Sequence, residues 1–200
     1  QWRFIAERED LKVELDLKPN PSQFKGDNLP VERVNWFEAV EFCQRLSRLT
    51  GKNYKLPSEA QWEYACRAIQ NEAQPYPPFH YGETLTSDLA NYDATRIYAD
   101  EAEGEYREQT TPVKQFDPNA FGLYDMHGNV WEWCEDDWHE NYQDAPTDGS
   151  ARSKTGKKPQ KDSNSVLRGG SWYIYPVVCR SACRNTVSYT HLRAHETDSY

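Results

Sequence analysis

The sequence predicts an α+β fold with two helices, short strands and much irregular structure. Apolar side chains recur at helical spacing in residues 36–49 and again after Pro57. Aromatic residues alternate with turn-forming residues in residues 112–138 and 166–172, which is typical of short strands joined by tight turns. Residues 71–111 lie between the helices and the strands, and they show little periodicity.

The first predicted helix has a clear beginning and end. Asn35 is a good N-cap, and Glu38 follows at the spacing of a capping box. Gly51 supplies the C-terminal stop. The apolar stripe predicted to face the core consists of Trp36, Val40, Cys43 and Leu46.

The second predicted helix starts after Pro57. Ser58 caps it, and Gln61 completes another capping box. Its inward face is predicted to consist of Trp62, Ala65 and Cys66. A short additional helix is compatible with residues 2–8, ahead of a polar stretch that is broken by prolines.

The predicted strands are short and interrupted. Gly169 and Gly170 break the apolar run of residues 166–172, so a kink or bulge is expected there. The long aperiodic region before the strands needs an internal fastener if it is to be ordered, because ordered loops of that length are uncommon.

Composition and charge exclude several classes of function. The chain has 200 residues, 37% of them hydrophobic and 28% charged, which fits one soluble domain with a core. A net charge of −9 argues against a nucleic-acid-binding surface. No apolar run approaches the roughly 18 residues needed to cross a membrane. The five cysteines lack the even number and spacing of a disulfide framework, which favours reduced thiols and a cytoplasmic location.

Four blocks carry a family resemblance: residues 30–36, 56–65, 119–133 and 167–172. In this order and spacing they resemble the formylglycine-generating enzyme / sulfatase-modifying factor family, especially its bacterial members. The resemblance implies a C-type-lectin-like α+β fold for residues 1–186, with part of the domain expected ahead of Gln1. Residues 187–200 have no periodicity and no family match, so we expect them to be a non-native tail.

The resemblance bears on catalysis. The family's aerobic enzymes oxidise a sulfatase cysteine to formylglycine with a copper(I)-binding cysteine pair that follows the Arg-Gly-Gly-Ser segment, and soft thiolates suit that ion. The position of the first of these cysteines is Ile174 here. Cys179 and Cys183 come later, so they would be catalytic, with copper as cofactor and a sulfatase as partner, only if the chain is an enzyme.

Calcium is the better-supported cofactor. Calcium takes six to eight oxygens from carboxylates and carbonyls. Asp125 and Glu132 offer carboxylates, and Gly128 and Val130 offer carbonyls, at positions that match the family's second calcium site. The family's first site would correspond to Asn91, the carbonyl of Tyr92, Glu105 and the carbonyl of Arg107. Alternatively, these acids are solvated turn residues.

The stretch after the Arg-Gly-Gly-Ser segment predicts a binding surface. It resembles the variable region of relatives that diversity-generating retroelements randomise, and residues 173–186 contain none of the residue types that such randomisation cannot produce. Tyrosines supply contact area at low entropy cost, and exposed apolar patches mark interaction sites. The predicted surface residues are Tyr173, Ile174, Tyr175, Val177, Val178 and Cys183. Ile174 and Val178 could equally belong to a core strand.

These observations favour a non-catalytic module that binds an unidentified protein or small ligand, with calcium stabilising its loops. Nucleic acid and membrane are not expected as partners. Two alternatives remain open: an oxidase that converts a sulfatase cysteine to formylglycine, and a structural accessory domain of a larger protein.

Overall fold

The computed structural model describes residues 1–69, 76–153 and 164–188. Its helices are α1 (Trp2–Ala6), α2 (Trp36–Thr50) and α3 (Glu59–Arg67), and its strands are β1 (Glu132–Asp137), β2 (Asn164–Arg168) and β3 (Asn185–Ser188). The strands form one antiparallel sheet in the order β1-β2-β3. The predicted α+β fold with two main helices is confirmed. Among the described residues, no helix is long and apolar enough to cross a membrane.

Helix α2 is capped as predicted, but its buried face is different. Asn35 accepts a hydrogen bond from the Glu38 amide at 2.9 Å, and the Glu38 carboxylate accepts one from the Asn35 amide at 2.8 Å. The predicted apolar stripe holds at Trp36 and in part at Val40, which is half-buried and packs against the core cluster of Trp36, whereas Cys43 and Leu46 are only partly buried. The other buried positions of the helix are Glu41 and Arg45, which form an ion pair at 2.8 Å.

A polar network explains why charged residues occupy the inner face of α2. The Glu41 carboxylate accepts hydrogen bonds from the amides of Val13 and Glu14 at 2.8 and 2.9 Å. The Arg45 guanidinium donates to the carbonyls of Ala6 and Leu15. The irregular N-terminal segment lacks a strand or long helix to satisfy its backbone groups, and this ion pair satisfies them instead.

Helix α3 follows the prediction more closely. Ser58 and Gln61 form the capping box, with hydrogen bonds of 3.1 and 3.0 Å. Trp62 and Cys66 are buried in one core cluster with Cys134 and Val166, so the helix packs against the sheet.

The region ahead of β1 contains less strand than predicted. Within residues 76–131 the structure has only isolated bridges, between Phe79 and Gly82 and between Asn91 and Gly128. Repeated left-handed backbone conformations prevent regular pairing; they occur at Lys114, Gly122, Asp125, Gly128 and Asn129.

Strands β2 and β3 also differ from the predicted boundaries. Strand β2 ends at Arg168 rather than continuing to residue 172, because Gly169 and Gly170 adopt φ values of 91° and 81°. Strand β3 includes Val187 and Ser188, which are the first two residues of the predicted tail, and they pair with β2. Residues 189–200 lie outside the described part of the chain.

Candidate functional site

The candidate site is built around the segment that follows β2. After the two glycines, Ser171 is fully buried, and the chain runs to a 3-10 helix at Pro176–Cys179. A Cβ atom on Gly170 would lie 2.5 Å from the Cys179 sulfur. The second glycine is therefore required because the segment folds back closely on itself.

The two candidate catalytic cysteines are both removed from solvent, Cys179 fully and Cys183 in part. Cys179 is fully buried, and its carbonyl accepts a hydrogen bond from the His127 ring at 2.7 Å. Burial raises the pKa of the Cys179 thiol, and it also raises the pKa of the half-buried Cys183. In the absence of a metal, both thiols are therefore held in the protonated form.

The predicted surface residues divide into exposed and packed groups. Tyr175 and Val177 are 44% and 45% exposed. Ile174 and Val178 pack against the core cluster of Trp36, Trp131, Trp133 and Leu167, while Tyr173 and Cys183 are half-buried. The exposed part of the surface is therefore centred on Tyr175 and Val177.

Residues from the irregular region border this surface, and the sequence analysis did not find them. The Arg96 guanidinium lies 5.5 Å from the centre of the Tyr175 ring. The Tyr106 ring stacks on Trp172 at 6.1 Å. The aperiodic pattern of residues 71–111 contains no signal that would have placed Arg96 or Tyr106 here.

The structure places the two carboxylates of the predicted second calcium site on half-buried residues. One Asp125 oxygen accepts a hydrogen bond from the Lys114 amide at 3.0 Å, while the other is buried with no hydrogen-bond partner among the described residues. Glu132 accepts a hydrogen bond from the Trp62 indole at 2.7 Å. Burial raises the pKa of Glu132 to about 7, and the negative charge of Asp125 adds to that effect.

Gly128 joins this loop to Asn91 of the predicted first calcium site. Gly128 and Asn91 form an isolated bridge, and the Asn129 amide donates to the Asn91 carbonyl at 2.7 Å. The Asn91 side-chain oxygen is buried without a hydrogen-bond partner in the described ranges. Asn91 and Asp125 thus each present a buried oxygen of the kind that calcium binds.

The remaining residues of the predicted first site are not all directed inward. Glu105 has a 63% exposed side chain and pairs with the Arg107 guanidinium at 2.9 Å. Both carboxylate oxygens of Glu101 are buried instead. Burial, followed by the Glu101 charge, raises the pKa of Tyr92. Which acidic residue of this stretch faces inward depends on tertiary packing, and counting positions along the sequence does not reveal it.

Arg168 belongs to the framework beneath the site. It is fully buried, donates to the Glu63 carboxylate and lies over the Trp62 ring at 5.0 Å. Arg184 binds the Glu59 carboxylate through two nitrogens at 2.5 and 2.8 Å. These pairs connect α3 to β2 and to the residue that precedes β3.

The comparisons with known proteins identify the family. The family model described as "Sulfatase-modifying factor enzyme 1-like domain" matches residues 4–195. The chain belongs to the sulfatase-modifying factor family. The match extends beyond residue 186, where the sequence analysis placed the domain end.

Individual relatives of this family differ in what their names describe. The chain is 32% identical over 177 residues to the formylglycine-generating enzyme of Mus musculus, with 84% of this chain and 43% of that protein covered. The structure of PvdO from Pseudomonas aeruginosa has a TM-score of 0.68 at 32% identity, covering 92% of this chain and 69% of that one. Treponema denticola variable protein 1 has a TM-score of 0.62 at 25% identity, covering 86% and 73%. The chain thus spans less than half the length of the mouse enzyme.

Proposed function

We propose that this chain is a non-catalytic binding module of the sulfatase-modifying factor family, which recognises a protein or small ligand through the surface around Tyr175 and Val177. The proposal rests on one observation: the segment after Ser171 contains both a buried thiol and exposed apolar side chains. Its thiol at Cys179 is buried against Gly170, whereas Tyr175 and Val177 point apolar area toward solvent. The similarity to a protein named variable protein 1 supports the same interpretation.

We also propose that calcium stabilises the loops that support this surface. Asp125 and Glu132, with the carbonyls of Gly128 and Val130, would hold one ion. Asn91 with Glu101 or Glu105 would contribute to another. Two features support this part: the buried oxygens of Asn91 and Asp125 that lack hydrogen-bond partners among the described residues, and the raised pKa of Glu132. A bound cation would offset the cost of burying these groups.

The second candidate function is oxidation of a sulfatase cysteine to formylglycine. It is favoured by the mouse relative, whose name states that activity. In that case Cys179 and Cys183 would have to bind copper(I). The full burial of Cys179 and the isoleucine at position 174 argue against it.

Two parallel measurements on the same protein distinguish the binding module from the oxidase. Copper(I) binding is titrated with a competing chelator, and a cysteine-containing sulfatase peptide is incubated with the protein, copper and oxygen before mass spectrometry. The proposal predicts no tight stoichiometric copper and no formylglycine product. The variant Cys179→Ser, beside Cys43→Ser as a matched control, identifies the thiol responsible if copper does bind. A formylglycine product that disappears only in the Cys179 variant would establish the oxidase.

A further inference from the structure

Negative charge is concentrated in one irregular segment. Residues 93–108, here called the acidic segment, contain six acidic residues and two arginines, which gives a net charge of −4. The whole chain of 200 residues carries −9. Almost half of the net charge therefore comes from a small part of the sequence.

The acidic segment lies directly against the candidate surface. The Asp93 amide donates to the Ile174 carbonyl at 3.0 Å. Tyr106 stacks on Trp172, and Arg96 lies over Tyr175. Three separated points of contact fix this border along most of the length of the segment.

Aromatic and apolar area continues across that border. Phe24 contacts the Trp172 ring edge-on at 5.6 Å, and Tyr173 contacts it at 5.2 Å. Ile97, within the acidic segment, is 54% exposed. Burial raises the pKa of Tyr106, and the nearby charges of Asp93 and Glu108 add to the increase. Carboxylates and aromatic rings thus occupy the same face.

Both kinds of group attract cations. Ring faces bind guanidinium and ammonium groups, and Arg binds them more readily than Lys because its planar group also stacks. Arg96 shows that the Tyr175 ring accepts a guanidinium in this position. A negatively charged partner would instead be repelled by the acidic segment, because like charges across an interface oppose association.

We propose that this surface recognises a basic polypeptide segment, in which arginine or lysine side chains accompany an apolar residue. The inference rests on the proposed binding function of the same surface and adds the chemistry of its partner. The cationic side chains would lie against the exposed carboxylates of the acidic segment, such as those of Glu103 and Glu108. The apolar residue would cover Tyr175 and Val177.

Selection from a library of short random peptides tests this inference. The immobilised chain is the target, and peptides that the Tyr175→Ala variant no longer binds are synthesised and measured by fluorescence anisotropy. We expect these peptides to carry net positive charge. Their affinity should fall several-fold between about 50 mM and about 300 mM salt, because salt screens exposed charges.

Two charge-reversal variants separate local from general electrostatics. Glu103→Lys with Glu108→Lys changes the acidic segment, whereas Glu7→Lys with Glu140→Lys makes the same change in net charge at exposed positions elsewhere. We expect the first pair to weaken peptide binding about tenfold or more and the second pair to have a much smaller effect. Melting temperatures verify that all variants are folded.

The possible failures are distinguishable. Some selected peptides could require Tyr175 yet carry no positive charge and bind the acidic-segment variant with unchanged affinity. That result would overturn the proposal of a basic partner and leave the proposed binding function in place. A selection in which no peptide depends on Tyr175 would also overturn the basic partner, while formation of a formylglycine product in the separate assay would overturn the binding function itself.

Discussion

At the scale of single residues, the loop between Asp125 and Glu132 depends on one close backbone approach. Gly128 has φ +79°, and a Cβ atom there would lie 2.2 Å from the Asn91 carbonyl oxygen. The sequence could indicate a tight turn at Gly128, because the Gly-Asn pair is a common turn signal. It could not identify Asn91 as the neighbour, since Asn91 lies 37 positions earlier in the chain, within the aperiodic residues 71–111.

The variant Gly128→Ala should lower the free energy of unfolding by at least about 3 kcal/mol, because left-handed strain is added to a collision with backbone atoms. Gly122→Ala is the matched control, with φ +76° and nothing within 4 Å of its added Cβ atom. It should cost only about 1–2 kcal/mol. Urea unfolding at equilibrium measures the free energy of unfolding of both variants. Equal losses of stability in the two would contradict the close approach of Gly128 to Asn91.

At the scale of elements, the two helices show what a sequence can and cannot specify. Both capping boxes were predictable because they are local: the participating residues are three positions apart. The buried face of α2 could not be predicted from the sequence. Its buried residues Glu41 and Arg45 contact residues 13–15 and 5–8, and the irregular backbone of those residues has no recognisable sequence pattern. Hydrophobic periodicity cannot detect an inner face that is polar.

Glu41→Gln should destabilise the protein by about 3–5 kcal/mol, because it leaves the Arg45 charge buried without its counter-ion. The exposed pair of Lys55 and Glu135 provides the control, with side chains that are 53% and 39% accessible. Glu135→Gln should cost less than about 1 kcal/mol. Chemical denaturation of the two variants in parallel measures both losses of unfolding free energy. If Glu41→Gln loses no more stability than the control, the buried ion pair contributes little to the stability of the fold.

At the scale of the whole molecule, calcium and pH should act on stability together. The folded protein holds a proton on Glu132 up to a pKa of about 7, whereas a free glutamate loses it near 4.5. Between these values the folded state binds more protons than the unfolded state, so stability falls as pH rises. Family and fold class were predictable from four sequence blocks, but this carboxyl environment was not, because it depends on Trp62 and Asp125 meeting Glu132 in space.

Without calcium, we expect stability to decline from pH 4.5 to pH 7, with a contribution from Glu132 of at most about 3 kcal/mol. If calcium binds as proposed, it should reduce this decline in stability, because the ion would stabilise the ionised carboxylate. Glu132→Gln should remove this contribution and the associated calcium effect. Thermal unfolding across this pH range, with calcium and with a chelator, provides the measurement. Identical pH profiles for the two proteins would refute the assignment.

The segment after β2 is held mainly through main-chain atoms. The Gly128 amide donates to the Gly169 carbonyl, the Trp172 amide donates to the Asn129 carbonyl, and the His127 ring binds the Cys179 carbonyl. None of these bonds depends on which side chains stand at positions 173, 175 and 177. The backbone of this segment can therefore keep its shape when the side chains at positions 173, 175 and 177 change.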